Sequence, residues 1–227
     1  MKEKQRELEL VSYQSGASLV GFGDISSTET EFTPKYPVAV CLAIELDKTI
    51  VKRLDKDENT YHLHLQNKKE SMKRIVTAVK NQIQKWGHQS YSAPVSITIM
   101  HQEQLENPET FSHKTAAASA GLGWIGKSSL LITPQYGPRV LLGTVLTAAT
   151  FKTGRSYKKD LCGACSLCVG ACPHDAIKNV NWAPGMGTEA LVDMNLCNEK
   201  RLEYMAEIGR KHACGLCMKA CKVGSFS

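Results

Sequence analysis

The chain has 227 residues, enough for one large domain or for one domain joined to a small module. Hydrophobic residues make up 42% of it and aromatic residues 7%, so a real core is available, yet no apolar run approaches the roughly 18 residues of a membrane span. The formal net charge is +6 without an arginine-rich arm or a basic stripe, which gives no argument for nucleic acid as a partner.

The first ten residues mix both charge signs and lack the apolar centre of an export signal, so a cytoplasmic protein with reduced thiols is expected. Residues 2–15 predict an amphipathic helix stopped by Gly16, with Leu8, Leu10 or Val11, and Tyr13 as its buried stripe. Residues 17–24 follow as a short strand that enters a loop. The near-continuous apolar run from Val38 to Leu46 predicts a buried strand, with Cys41 as a packed core thiol. Charged residues 47–60 read as a loop. Residues 61–86 then predict one long helix, because Leu65, Met72, Ile75, Val76, Val79 and Ile83 recur at helical spacing before the stop at Gly87. His62, His64, His88 and His101 have no carboxylate or cysteine at ligand spacing and are expected as surface or hydrogen-bonding groups. Residues 95–100 alternate and predict a strand.

Residues 121–128 match two phosphate-binding patterns at once, G-x-x-x-x-G-K-S and G-x-G-x-x-G. Both patterns need a strand before the loop and a helix after it, so that phosphate meets a helix N-terminus. Here the order is reversed. An alanine-rich helix over about 112–120 leads in, and residues 128–133 read as a strand that ends at Pro134. The apolar run ending at Asp47 precedes the loop, where a metal-binding Walker strand would follow it. ATP and dinucleotide readings are set aside. What is left is a helix–glycine loop–strand corner where backbone can approach a flat ligand, and Trp124 within it reads as core packing ahead of ligand stacking. A further strand after the Gly137-Pro138 turn runs to Thr147, and residues 151–159 form a basic linker.

Eight of the nine cysteines lie between positions 162 and 221. Cys162, Cys165, Cys168, Cys172 and Pro173 spell C-x2-C-x2-C-x3-C-P, the bacterial run whose fourth cysteine ligates the other of two clusters. Cys197, Cys214, Cys217 and Cys221 complete the set. Eight thiolates suffice for two [4Fe–4S] clusters. Two-residue gaps let a turning loop wrap one face of a cube, while the cysteine three further on points towards a second cube. Cys162, Cys165 and Cys168 are therefore expected to hold one cluster with Cys221. Cys214 and Cys217 hold the other with Cys172 and Cys197. A disulfide framework and structural zinc compete with this reading; nothing suggests export, and repeated C-x2-C spacing suits metal better, although four cysteines also suit tetrahedral zinc. Each cluster with its thiolates carries about −2, which brings the chain to about +2 and leaves a modest attraction for acidic redox partners.

Taken together, Ala120-Gly-Leu-Gly-Trp-Ile-Gly-Lys127, Leu-Leu-Ile-Thr-Pro134, Leu-Gly-Thr-Val-Leu-Thr147 and the first cysteine block resemble the epoxyqueuosine reductase family, as does Leu19-Val-Gly-Phe-Gly-Asp24. The resemblance covers nearly the whole chain. It implies an α+β fold, with a nitroreductase-like α/β cofactor-binding domain over 1–152 and a ferredoxin-like double [4Fe–4S] domain over 153–227. It also implies an iron–sulfur oxidoreductase that passes electrons through two clusters to a bound corrinoid, cobalamin ahead of flavin, beside Lys127, Ser128, Leu131, Thr133 and Leu142. A low-potential donor such as ferredoxin or flavodoxin would supply the electrons. Three departures bear on activity. The family's C-terminal helical repeats have no counterpart before Ser227, the aspartate that acts as its acid falls at Asn107, and Lys222 replaces the proline after the last cysteine. Asparagine cannot donate that proton, so the tRNA chemistry is expected to be lost, and neither substrate nor proton donor can be named. A non-catalytic electron carrier, or a reductive activator of a separate corrinoid or flavin protein, is the alternative. A tRNA epoxyqueuosine reductase comes third.

Overall fold

The computed structural model describes residues 2–28, 32–94, 111–207 and 214–224. They form a mixed α/β arrangement of two compact units that interleave along the chain. One unit takes Met1–Glu45, Gln66–Gly123 and Val140–Ser156; the other takes Leu46–Leu65, Trp124–Arg139 and Tyr157–Ser227. The strand expected over 95–100, together with His101 and Asn107, lies outside the described residues.

The first unit is built on a four-stranded antiparallel sheet. Strands β1 (Leu19–Asp24), β2 (Val38–Glu45), β3 (Ser90–Ser92) and β6 (Val140–Thr147) lie in the order β1-β2-β6-β3. Alternation along β2 decides what covers each face. Val40, Leu42 and Ile44, with Phe22 and Val145 beside them, pack against Leu8 of helix α1 (Lys2–Gln14) and against Met72, Ile75, Val76, Val79 and Ile83 of helix α3 (Glu58–Lys85). The opposite face carries small residues, because helix α4 (His113–Ser119) lies almost on the backbone there. A side chain at Gly23 would run into Ser119 and the Ala116 carbonyl, so only glycine fits. Ser112 caps α4, its Oγ accepting the Thr115 amide at 3.3 Å. On the same face His113 is buried between Thr144 Oγ1 at 2.8 Å and the Pro94 carbonyl at 2.7 Å. The carbonyl can only accept, so Nε2 carries the proton and Nδ1 accepts from the Thr144 hydroxyl. Cys41 sits opposite Thr144 as a buried core thiol, and burial pushes its pKa up.

Two helix expectations need correction. Leu10 and Tyr13 are exposed on α1, and the inward position one turn after Leu8 is taken by Ser12, whose hydroxyl donates to the Leu8 carbonyl at 2.7 Å. A buried serine is tolerated there because that local bond satisfies it. Residues 47–60 are not simply a loop. Asp47 caps a short helix α2 (Lys48–Lys52), its Oδ1 accepting the Ile50 amide at 2.9 Å. The long helix α3 stops as expected, with Gly87 N–H donating to Gln84 O at 2.9 Å and His88 N–H to Ile83 O at 3.3 Å.

The second unit has little regular structure. Its elements are a hairpin of β4 (Trp124–Ile125) and β5 (Leu131–Ile132), the short helices α5 (Leu167–Gly170) and α7 (Leu216–Ala220), and the 14-residue helix α6 (Met194–Glu207). The strand expected over 128–133 is shorter than predicted, since residues 128 and 129 turn and Ser129 adopts φ 57°. A bridge pairs Ile177 with Val192, and Leu54, Ile125, Leu131, Ala176, Leu191 and Met218 are buried in this unit. Among the described residues no helix is long and apolar enough to cross a membrane.

Candidate metal centre

The loops that present the cysteines are fixed by local hydrogen bonds. Asp160 is buried and uses both oxygens, Oδ1 accepting the Cys162 amide at 2.9 Å and Oδ2 the Trp182 amide at 2.7 Å. Its carboxylate ties the start of the first cysteine block to a second loop. Cys165 N–H donates to Cys162 O at 3.0 Å, closing the turn between the first two cysteines. Cys168 rides on α5, and Cys172 N–H donates to Val169 O at 3.1 Å just beyond that helix. Cys197 lies on α6, whose first turn is held by Asp193 Oδ1 accepting the Leu196 amide at 2.9 Å. Cys217 lies on α7, and Cys221 ends that helix. None of the nine cysteines forms a disulfide; Cys165 is exposed, and the other seven of the second unit are partly buried.

Electrostatics sort these sulfurs. Burial pushes the Cys168 thiol up, and neighbouring Cys162 and Cys165 push it further. Burial likewise raises Cys221, with Cys162, Cys168 and Cys165 adding to the rise. Cys217 is desolvated enough to reach about 12, with Cys214, Cys197, Cys168 and Cys172 adding. Cys168 thus neighbours sulfurs of both cysteine blocks. Crowded thiols of this kind resist ionisation when alone and surrender their protons to a cation.

Sequence reasoning missed most of the frame around them. Residues 46–65 pack in the same unit, where Leu54 and the Tyr61 hydroxyl stand 3.2 and 3.1 Å from the place a side chain at Gly215 would take. Lys219 pairs with Asp55 at 2.5 Å. The buried Arg139 guanidinium donates to Leu46 O and Gly224 O, each at 2.9 Å, and so clamps the segment after Cys221. The Asp47 cap was the one local signal for this frame; long-range contacts leave none in a single sequence.

The residues expected beside a flat cofactor divide between the two units. Lys127, Ser128, Leu131 and Thr133 share the β4–β5 hairpin region with the cysteines, whereas Leu142 lies on β6 of the sheet unit. Lys127 is buried and donates to Asn179 Oδ1 at 2.9 Å. Thr133 Oγ1 donates to Gly137 O at 3.0 Å and accepts the Tyr136 amide at 3.1 Å, closing its own turn. Leu131 is buried, and Ser128 and Leu142 are partly so. After the glycine loop comes a turn and β5 rather than a helix, so no helix N-terminus faces phosphate there.

The donor set fits iron–sulfur clusters on a further observation. Two buried indole N–H groups of this unit, Trp124 Nε1 and Trp182 Nε1, have no hydrogen-bond partner among the described residues. Such donors are costly to leave unpaired, and cluster sulfur is an acceptor that would meet the indole of Trp124, whose hairpin neighbour Gly126 lies beside Cys162 Sγ.

Comparison with known proteins agrees with the resemblance read from the sequence. Residues 156–178 match the family model described as a 4Fe-4S binding domain, a span that contains Cys162, Cys165, Cys168 and Cys172. The epoxyqueuosine reductase of Gloeobacter violaceus is 34% identical over 119 residues, covering 48% of this chain and 34% of that protein. Among solved structures, a reductive dehalogenase described as acting by B12-dependent dehalogenation matches 94% of this chain and 30% of its own, with a TM-score of 0.70 at 19% identity. The epoxyqueuosine reductase of Bacillus subtilis matches 98% of this chain and 66% of its own, with a TM-score of 0.60 at 19% identity. At these identities the structural likeness shows the fold alone. Alignments with the first of the curated relatives span 16% and 34% of those proteins' own lengths.

Proposed function

We propose that this chain, similar to epoxyqueuosine reductases, is an iron–sulfur oxidoreductase with two [4Fe–4S] clusters that deliver electrons to a bound corrinoid. The observation that carries this reading is the C-x2-C-x2-C-x3-C-P block from Cys162 to Pro173, inside the span that matches a 4Fe-4S binding domain, with four further cysteines after it. Cys162, Cys165, Cys168 and Cys221 would hold one cluster, and Cys172, Cys197, Cys214 and Cys217 the other. Bound there, the clusters would supply one-electron transfer. The chain's own part is to hold and shield them. Asp160 fixes the first cysteine loop, Arg139 fixes the segment after Cys221, and Leu54, Tyr61 and Met218 help to exclude water from the second block. The exposed loop with Cys165, Leu161, Lys158 and Lys159 suits an acidic, low-potential donor such as ferredoxin or flavodoxin in the cytoplasm.

The sheet unit would be the nitroreductase-like part, and the B12-dependent relative supports cobalamin as the acceptor. Lys127 and Thr133 already spend polar atoms on Asn179 and on the turn, so they would serve to shape the hairpin more than to grip the cofactor. The test is anaerobic titration of the cluster-loaded protein with cobalamin. A change in the visible spectrum of cobalamin that saturates at one equivalent supports the acceptor; an unchanged spectrum overturns that part of the reading.

A further inference from the structure

Trp124 is the residue whose burial the reading above leaves without a chemical reason. It is 4% exposed, its ring lies against Tyr157 with centroids 5.7 Å apart, and its Nε1–H has no acceptor among the described residues. A tryptophan that only filled space would be exchangeable for phenylalanine, and a buried indole N–H left bare is costly.

The hairpin fixes the face of the strand from which the Trp124 side chain leaves. Trp124 pairs with Ile132, and Gly126 N–H donates to Leu130 O at 2.9 Å, so the ladder continues through position 126. Residues two apart on a strand share a face, which places Trp124, Ile132 and the open side of Gly126 together. A side chain at Gly126 would stand 2.8 Å from Ile132 Cγ1 and 3.3 Å from Cys162 Sγ. The face that carries the bare indole N–H is therefore the face laid against the first cysteine of the Cys162, Cys165, Cys168 and Cys221 group. Glycine at 126 lets backbone come that close.

We propose that Trp124 Nε1–H donates a hydrogen bond to a sulfur of the cluster held by this group, and so tunes that centre. The inference rests on the cluster reading above. Hydrogen bonds to cluster sulfur stabilise the reduced, more negative state and raise the reduction potential. Trp124 is a tuning residue in this role; it neither ligates iron nor touches substrate.

The test uses anaerobically purified full-length protein carrying 15N-indole tryptophan, reduced and read by EPR with electron–nuclear double resonance. Wild type should show a 15N coupling and an exchangeable-proton coupling to one [4Fe–4S] signal. Trp124→Phe should keep wild-type iron and sulfide, lose both couplings, and shift that centre's midpoint potential downwards. Trp182→Phe should retain the couplings. If Trp124→Phe fails to assemble, the labelled Trp182→Phe protein still decides the matter, since a coupling there supports the assignment and its absence overturns it. Couplings that survive Trp124→Phe, or that vanish in Trp182→Phe, overturn it as well. Wild type without any [4Fe–4S] signal overturns the cluster reading and this inference together, whereas a normal signal without indole coupling overturns the inference alone.

Discussion

The sheet unit and the cysteine unit are stabilised by different physics. In the first, an eight-residue strand, β2, is buried along nearly its whole length between α1 and α3 on one side and α4 on the other. Apolar burial there is continuous, and the unit has what it needs to fold from side chains alone. The second unit has two-residue strands, helices of four and five residues beside the 14-residue α6, and polar loops around its sulfurs. Such short elements are marginal in water without something to tie them together. The contrast teaches that one unit is a scaffold made by packing and the other is a fold that waits for its metal.

The largest effect expected from breaking that contrast is metal removal. Anaerobic chelation should abolish protease resistance across residues 157–224 while the sheet unit keeps its β-sheet circular dichroism. Loss of both together would show that the two units share one cooperative transition. Next in size is a cavity in the scaffold. Met72→Ala empties a site that is 0% exposed beneath the sheet, and should cost about 2–5 kcal/mol in the unfolding of the sheet unit with cluster absorbance unchanged. A cluster that bleaches in step with this variant would contradict the separation.

Proton linkage gives a smaller effect with a definite sign. Desolvation lowers the pKa of His113 below its ordinary value near 6.5, partly offset by its bond to the Pro94 carbonyl. The unfolded chain thus binds the proton more readily. The contribution to stability is whole above about pH 6.5 and is lost as pH falls from there through the folded value. His113→Asn should flatten the pH dependence of sheet-unit stability in that window, as denaturant titrations at several pH values would show. The smallest effect is at the Lys219–Asp55 pair, both of whose side chains are partly exposed. Asp55→Asn should cost no more than about 1 kcal/mol, and high salt should erase the difference in chelator sensitivity between variant and parent.

Some of this was legible in the chain and some was not. The cysteine spacing carried the expected groups of four, and the match of residues 156–178 to a 4Fe-4S binding domain bears on the first block alone. The apolar periods of β2 and α3 carried the scaffold, and Gly87 marked the stop of α3. Leu10 and Tyr13 misled, since α1 buries a narrow stripe and fills its inward side at position 12 with a self-satisfied serine. The 46–65 segment was obscure for a different reason. Its charged residues are what a surface shows, and only tertiary contact reveals that Leu54 and Tyr61 stand against the second cysteine block. The resemblance placed Lys127 and Thr133 beside a flat cofactor; that Asn179 and the turn at Gly137 engage their polar atoms is tertiary detail a sequence does not carry.

The most direct test of the central claim is the iron and acid-labile sulfide content of anaerobically purified protein. The account predicts about eight of each per chain, with no zinc, since two four-iron cubes need eight cysteine ligands. Zinc, or iron and sulfide sufficient for only one cube, would contradict it.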